Sequence, residues 1–241
     1  MTKSPRSLAI IPARGGSKRL KRKNIRVVGG KPLIAHTILA TQASTILTDY
    51  LVSSEDEEIL EVAREFDAPV PFVRPDELAT DTVRNIDVMI HAVHFMEHQT
   101  GQRYDIIVLL QPTAPIRSAA HIDEAIEKLW ASDADTLASV KGPFKKRDPN
   151  LKRIDTDGVL EPYCDRATGK DWEPFYIYNA SIYAMRRDYL INEQKMVSNR
   201  QVPLLMDDLH SIDVDTELDA IYADTVLKHI SDQTKTRKSS D

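Results

Sequence analysis

Apolar and polar positions follow one another along the chain in blocks whose period switches from strand-like to helix-like and back. Ser7 to Ala13 (SLAIIPA) is a nearly unbroken apolar run, the pattern of a strand buried on both faces. Pro32 to Ala43 follows, with Leu33, Ile34, Ile38 and Leu39 at helical spacing behind a proline suited to a first turn. The pattern then recurs. It predicts strands at Tyr50–Ser53, Val70–Val73, Asp105–Leu110 and Thr136–Val140, and helices at Asp56–Phe66, Val83–Glu97 and Ala119–Ala131. Alternation of this kind implies an α/β fold, a three-layer αβα arrangement in which helices cover both faces of a largely parallel sheet. Ligands in such sheets bind at the carboxyl ends of the strands, which selects the loops after Ala13, Val73 and Leu110.

The alternation fails from Lys141 to Tyr176, where Pro143, Pro149, Pro162 and Pro174 stand among charged and aromatic residues, so an excursion from the main sheet is expected over about 141–176. Phe175 to Ala184 is strand-like again, and Asp215 to Ile230 carries a helical pattern through Leu218, Ile221, Tyr222, Val226 and Leu227. With 241 residues, 41% of them hydrophobic, the chain has enough apolar surface for one core, and a single domain over 1–241 is expected. The last ten residues, Asp232 to Asp241, are low in complexity and are expected to be disordered. No apolar run approaches the ~18 residues of a membrane span, and charged Arg6 precedes the first apolar run. One cysteine, Cys164, cannot form an internal disulfide and suits a reducing compartment. A soluble cytoplasmic protein with no membrane partner is the expectation.

Charge sharpens this reading. The net charge of −5 argues against a surface built to neutralise nucleic-acid phosphates, yet between Arg14 and Arg26 there are seven basic residues and no acidic one. Within that stretch, Gly15 and Gly16 permit backbone conformations closed to other residues and a close approach to a ligand, exposing N–H groups to an anion. Arg14, Lys18 and Lys23 add charge-assisted bonds to phosphate oxygens. Neither G-x-x-x-x-G-K-[ST] nor G-x-G-x-x-G is present. By composition alone the segment reads equally as a solvated basic loop or a nucleic-acid patch at Lys18 to Lys23.

Three further groups can carry chemistry. Arg74-Pro75, with Leu78-Ala79-Thr80-Asp81, offers a guanidinium to the acceptors of a base and a backbone turn to its amine; the plainer reading is a helix cap at Asp81. Gln111, at the end of a buried strand and followed by Pro112 and Pro115, is an amide held rigidly at the mouth of a site, although a proline-rich turn explains the same residues. Asp213 and Asp215 fall on one side of an extended segment, ~7 Å apart in backbone rise, where both can reach one cation such as Mg²⁺, or where Asp215 simply begins a helix. His91, His94 and His98 lie at helical spacing, but no carboxylate converges on them, and they are read as half-buried helix residues rather than metal ligands. No Ser/His/Asp order or Cys/His pair points to a hydrolase.

Ile11-Pro-Ala-Arg-Gly-Gly-Ser-Lys18, a spacer and Lys23-Asn24 resemble the signature loop of the CMP-sialic acid synthetases (acylneuraminate cytidylyltransferases), in which this loop wraps the CTP phosphates. The resemblance implies a Rossmann-like nucleotidyltransferase sheet with Ala13, Arg14, Gly15, Gly16, Ser17, Lys18, Lys23 and Asn24 on the nucleotide. The RP…LA.D arrangement is similar to the family's base pocket and adds Arg74, Ala79 and Asp81; LLQPTAP.R places Gln111 at the reacting end of the sugar acid. Tyr178 and Asn179 resemble an NG.IY segment near the sugar, with Ala180 where the family usually has glycine. The D-x-D-T-x-x-D run implies Mg²⁺ on Asp213 and Asp215, and the catalytic set becomes Arg14, Lys18, Lys23, Gln111 and Asp215. Arg19 stands where a glycine is common in the family, and Arg22 adds charge.

The expected reaction is transfer of CMP from CTP to the anomeric hydroxyl of a nine-carbon 2-keto sugar acid (sialic acid, Kdn, legionaminic or pseudaminic acid), with release of pyrophosphate. Lys23-Asn24 and the D-x-D-T run favour this branch over a Kdo cytidylyltransferase. Outside the enzyme class, the same residues would suit a catalytically silent nucleotide-binding regulator or a nucleic-acid binder. The resemblance further implies a homodimer in which the partner's excursion reaches the sugar site. Lys145, Lys146 and Arg147 can then meet the sugar carboxylate, or form an ordinary solvated run.

Overall fold

Every residue of β1 (Ser7–Pro12) is buried, as an unbroken apolar run requires of a strand covered on both faces. The computed structural model describes residues 4–144, 152–154, 156–162 and 175–238. It sets β1 between two parallel neighbours, β4 (Asp49–Ser53) and β5 (Ile106–Leu110). The sheet continues beyond β5 with β9 (Phe175–Arg186), β6 (Thr136–Phe144) and β10 (Gln201–Leu205), in the order β10-β6-β9-β5-β1-β4. Only β9 runs against its neighbours, so five of the six strands end at the same edge. Two short hairpins stand apart from this sheet: β2 (Val27–Val28) with β3 (Lys31–Pro32), and β7 (Lys152–Ile154) with β8 (Leu160–Pro162).

Alternate residues of β1 serve two cores. Ala9 and Ile11 face α1 (Leu33–Gln42), α2 (Glu57–Glu65) and α4 (Ala119–Trp130) through Ile34, Ile38, Ile59 and Ile122. Leu8 and Ile10 face α3 (Asn85–Thr100) and α5 (Arg187–Glu193) through Met89, Val93 and Leu190. Each fully buried side chain of this size contributes about 1.5–3 kcal/mol by leaving water. A third cluster packs α6 (Glu217–Lys238) against the basic loop, with Ala220 and Ala223 on Leu20, Val28 and Val214. Local chemistry sets the helix starts: Asp56 accepts from Ile59 N–H at 3.2 Å, and Ser118 and His121 form a reciprocal cap on α4.

The sheet is largely parallel, as expected, but four expectations change. Val70–Val73 is not a strand. Pro69 and Pro71 have no N–H to give a ladder, and the segment is tied to the region of β4 by Val52 N–H to Pro69 O at 2.9 Å and Arg74 N–H to Ser54 O at 2.8 Å. β6 and β9 do not part at Lys141; they stay paired to Phe144 and Phe175, whose rings stack at 5.5 Å. The disordered tail expected from Asp232 is instead helical through Lys238. α5 and β10 lie where the sequence pattern predicts no element. Lys145, Lys146, Arg147 and Cys164 lie outside the described residues. Among the described residues, no helix is long and apolar enough to cross a membrane.

Candidate functional site

The basic loop leaves β1 at the edge where the parallel strands end, and it is closed on itself. Buried Asn24 donates from Nδ2 to the carbonyl of Arg14 at 2.9 Å, tying the two ends of the loop together. Gly15 N–H donates to Glu55 Oε1 at 2.8 Å, and a Cβ on Gly15 would stand 2.1 Å from Asp56 Oδ2. The glycine is therefore required by close approach to the start of α2. Neither Gly15 nor Gly16 has a positive φ, so the conformational freedom expected of them is not what the loop uses. Around Gly16 there is open space, and the left-handed residue of the loop is Arg22, at φ 55°.

The loop's cations face carboxylates across a cleft. Arg14 Nη1 and Lys18 Nζ reach the two oxygens of Asp81 at 2.8 and 2.6 Å. The hydrogen bond from Lys18, with help from Arg14, holds the Asp81 carboxyl below its usual range. Lys23 Nζ lies 2.7 Å from Asp215 Oδ1, and Arg19 Nη1 lies 3.3 Å from Asp215 Oδ2. The arginine that replaces a glycine of the family thus joins the same carboxylate as Lys23.

Arg74 arrives on the extended segment beside β4 and is buried. Its Nη2 donates to the carbonyls of Ala13 and Ser53 at 2.6 and 3.0 Å and pairs with Glu55 at 3.0 Å. That nitrogen is committed to the ends of β1 and β4, while Nε is buried without a partner.

Alternation sorts the acidic segment before α6. Val214 is fully buried and its N–H donates to Thr113 O at 2.8 Å, which turns Asp213 and Asp215 the other way. Asp219, the last acid of the D-x-D-T-x-x-D run, accepts from the N–H groups of Asp215 and Thr216 at 3.1 and 2.8 Å and so caps α6. Asp213 Oδ1 is buried with no hydrogen-bond partner. Burial raises the Asp213 carboxyl above its usual range, Asp215 adds repulsion, and a hydrogen bond from Thr113 opposes both. An orphaned, buried carboxylate oxygen beside a second carboxylate is the donor set a small oxygen-seeking cation such as Mg²⁺ takes. Among the described residues, no group of three or more His, Cys, Asp or Glu is gathered for a metal, and His91 packs edge-on against Phe72 at 4.8 Å.

Gln111 lines the cleft beside Pro112 and Thr113. Its carbonyl accepts from both terminal nitrogens of Arg117 at 3.3 Å, and Arg117 also donates to Ser181 O at 2.6 Å and Thr37 Oγ1 at 2.7 Å. Arg117 is buried, and desolvation pulls its pKa down to about 9. The sequence displays this arginine two residues after Pro115 without indicating that it braces the loop from beneath.

Tyr178 and Asn179 do not line the cleft that holds the loop's cations. The Tyr178 hydroxyl donates to Gln201 Oε1 at 2.6 Å; buried Asn179 donates to Ser211 Oγ at 2.8 Å and accepts from Ser139 Oγ at 2.5 Å and Ser181 N–H at 3.3 Å. Asn179 is thereby a brace between β6, β9 and the segment that leads to Asp213. It sits in an irregularity of β9, where four residues oppose Ser139 alone, and Ala180 there adopts φ 56°.

A cleft of about 430 Å³ collects Arg14, Ser17, Lys18, Lys23, Asn24, Arg74, Gln111 and Asp215. An adjoining pocket of about 250 Å³ is lined by Leu78, Ala79, Thr80, Asp81, Val83 and Val88. Arg14, Arg74 and Asn85 border both, and nothing in the sequence pattern singles out Asn85.

Comparison with known proteins agrees with this geometry. A sequence profile of cytidylyltransferases matches residues 8–221. The chain is 37% identical over 233 residues to the CMP-N,N′-diacetyllegionaminic acid synthase of Legionella pneumophila, covering 92% of this chain and 97% of that protein. It is 31% identical over 231 residues to the N-acylneuraminate cytidylyltransferase of Streptococcus agalactiae, covering 92% of this chain and 53% of that protein. A CMP:2-keto-3-deoxy-manno-octonic acid synthetase complexed with CTP shares the fold, with a TM-score of 0.65 at 17% identity over 90% of this chain and 98% of the other.

Proposed function

From the premise that the chain belongs to the cytidylyltransferase family, we propose that it transfers CMP from CTP to the anomeric hydroxyl of a nine-carbon 2-keto sugar acid and releases pyrophosphate. The observation that carries this reading is the cleft at the carboxyl edge of the sheet, where Arg14, Lys18 and Lys23 on one loop stand opposite the segment bearing Asp213 and Asp215. The relative named for legionaminic acid supports the nine-carbon branch, which includes sialic acid, Kdn, legionaminic and pseudaminic acids; the octonic acid synthetase shares only the fold.

The cations of the loop are suited to neutralise charge that spreads over the phosphate oxygens as the acceptor hydroxyl attacks the α-phosphate in line. Arg14 and Lys18 take the phosphate chain, Lys23 lies nearest the acidic segment, and Gln111, fixed through its carbonyl by Arg117, orients the acceptor. Asp213 and Asp215 would hold Mg²⁺, which supplies charge neutralisation and polarisation of phosphoryl oxygens. The base lies in the smaller pocket between Leu78, Ala79 and Val88.

A homodimer in the cytoplasm is part of the proposal. Ile154, Leu160, Tyr176 and Ile177 are exposed apolar residues on the excursion and on the outer end of β9, a surface that a second copy of the chain would cover. The lone cysteine suits the reducing compartment. A monomeric mass in light scattering at micromolar concentration would exclude the dimer.

Pyrophosphate release is the test, with Mg²⁺, each of the four nucleoside triphosphates and a panel of nine-carbon and eight-carbon keto acids. Release with CTP and one nine-carbon acid is expected. Release with the eight-carbon acid alone would establish the Kdo reaction, and CTP binding without turnover on any acid would establish a silent regulator, which the paired aspartates argue against.

A further inference from the structure

Three residues border both the cationic cleft and the smaller pocket: Arg14, Arg74 and Asn85. A nucleoside triphosphate lying across the two puts its charge beside Lys18 and Lys23 and its flat base between Leu78, Val83 and Val88. The sugar of the nucleotide then falls at the junction. Two of the three junction residues are already engaged, Arg14 by Asp81 at 2.8 Å and Arg74 Nη2 by the carbonyls of Ala13 and Ser53.

Asn85 is different. Its side chain makes no hydrogen bond among the described residues, and it is exposed to the junction. Asparagine before a helix ordinarily serves as an N-cap. Here the capping position belongs to Arg84, whose side chain makes no capping bond, and Asn85 stands one residue too late, as the first residue of α3. Capping therefore does not account for it. The following residue, Ile86, is buried in the core, and Arg84 pairs with Asp87 at 2.7 Å, so the turn that carries Asn85 is anchored. A carboxamide offers two donors and one acceptor oxygen, the complement of two neighbouring hydroxyls.

We propose that Asn85 is a specificity-determining residue that recognises the ribose hydroxyls of the nucleotide and selects a ribonucleotide over its deoxy counterpart. This rests on the reading of the cleft as a CTP site. A polar group placed for a hydroxyl loses its partner when the hydroxyl is absent, which is how a site rejects the deoxy analogue.

Calorimetric binding with Mg²⁺ separates the two readings, using CTP, 2′,3′-dideoxy-CTP and tripolyphosphate on the wild type and on Asn85→Ala. The wild type should bind CTP about tenfold or more tightly than the dideoxy analogue. In Asn85→Ala the ratio should fall to about twofold, with tripolyphosphate affinity and melting temperature unchanged. A wild type indifferent to the hydroxyls, or a variant that keeps the wild-type ratio, overturns the role of Asn85. A wild type that binds tripolyphosphate but not CTP overturns the CTP reading itself, a result distinct from either.

Discussion

Lys23 Nζ lies 2.7 Å from Asp215 Oδ1, joining the basic loop to the acidic segment across 192 residues of chain. Arg19 reaches the other oxygen of the same carboxylate at 3.3 Å. The pair is the electrostatic hinge of the cleft, because one group belongs to the phosphate side and the other to the proposed cation site.

Asp215→Asn should therefore separate chemistry from binding. Turnover is expected to fall by about 100-fold or more, while CTP affinity changes by less than about tenfold. Steady-state rates alongside calorimetry check this. Turnover at the wild-type rate would overturn the assignment of Mg²⁺ to Asp215.

Gly15 and Gly16 are adjacent, yet they should respond differently to alanine. A Cβ at Gly15 meets the carboxylate of Asp56, which caps α2, so Gly15→Ala should cost about 1–3 kcal/mol in denaturant unfolding. Gly16 has open space around it, and Gly16→Ala should leave stability within about 0.5 kcal/mol. Equal losses at both positions would contradict the close-approach argument.

Ala180 adopts φ 56°, where an L-residue is strained and glycine is not. Ala180→Gly should raise stability by up to about 1 kcal/mol, since relief of strain slightly exceeds the added freedom of the unfolded chain. Ala180→Val should lower it by more than about 1 kcal/mol. A thermal melt of the three proteins ranks them, and a valine variant as stable as the wild type would refute the strain.

Glu97 and Arg187 form a mostly buried pair at 2.7 Å, on the face of the sheet away from α1. Burial pushes the Glu97 carboxyl up, but hydrogen bonds from Arg187 and from Tyr104 N–H more than offset it, and the net direction is below the usual range. A carboxyl lowered by folding stabilises above its unfolded pKa and loses that contribution as pH falls through its folded value. Wild type should exceed Glu97→Gln in stability at pH 7, and the gap should close as the solution is acidified below the ordinary glutamate range near pH ~4.3. A gap independent of pH would show that packing, not ionisation, is responsible.

The parts of the fold carried by continuous apolar runs were legible. β1 reads as a doubly covered strand because Leu8 to Ile11 serve two cores in alternation. Val70–Val73 misleads because its apolar content hides Pro71, which with Pro69 just before the segment withholds ladder donors. At the site, residue types were legible and their partners were not. Gly15 is visible in the sequence, but its reason, Asp56, is 41 residues away, and no local pattern announces the contact. Resemblance places Asp81 and Asn179 on ligands, whereas the structure engages Asp81 with Arg14 and Lys18 and spends Asn179 on Ser139, Ser181 and Ser211. Asn85 escapes notice because an asparagine at the start of a helix looks like a cap until the capping position is seen to be Arg84.

β9 enters the sheet from the ligand edge, opposite in sense to its neighbours, with its outer residues exposed and its inner ones buried. One strand thus runs from the base of the excursion into the middle of the molecule. Its widest irregularity against β6 is the bulge at Asn179–Ile182, and from that bulge Asn179 grips Ser211, two residues before Asp213. The exposed residues at the base of the excursion and the residue that holds Ser211 therefore belong to the same twelve-residue strand.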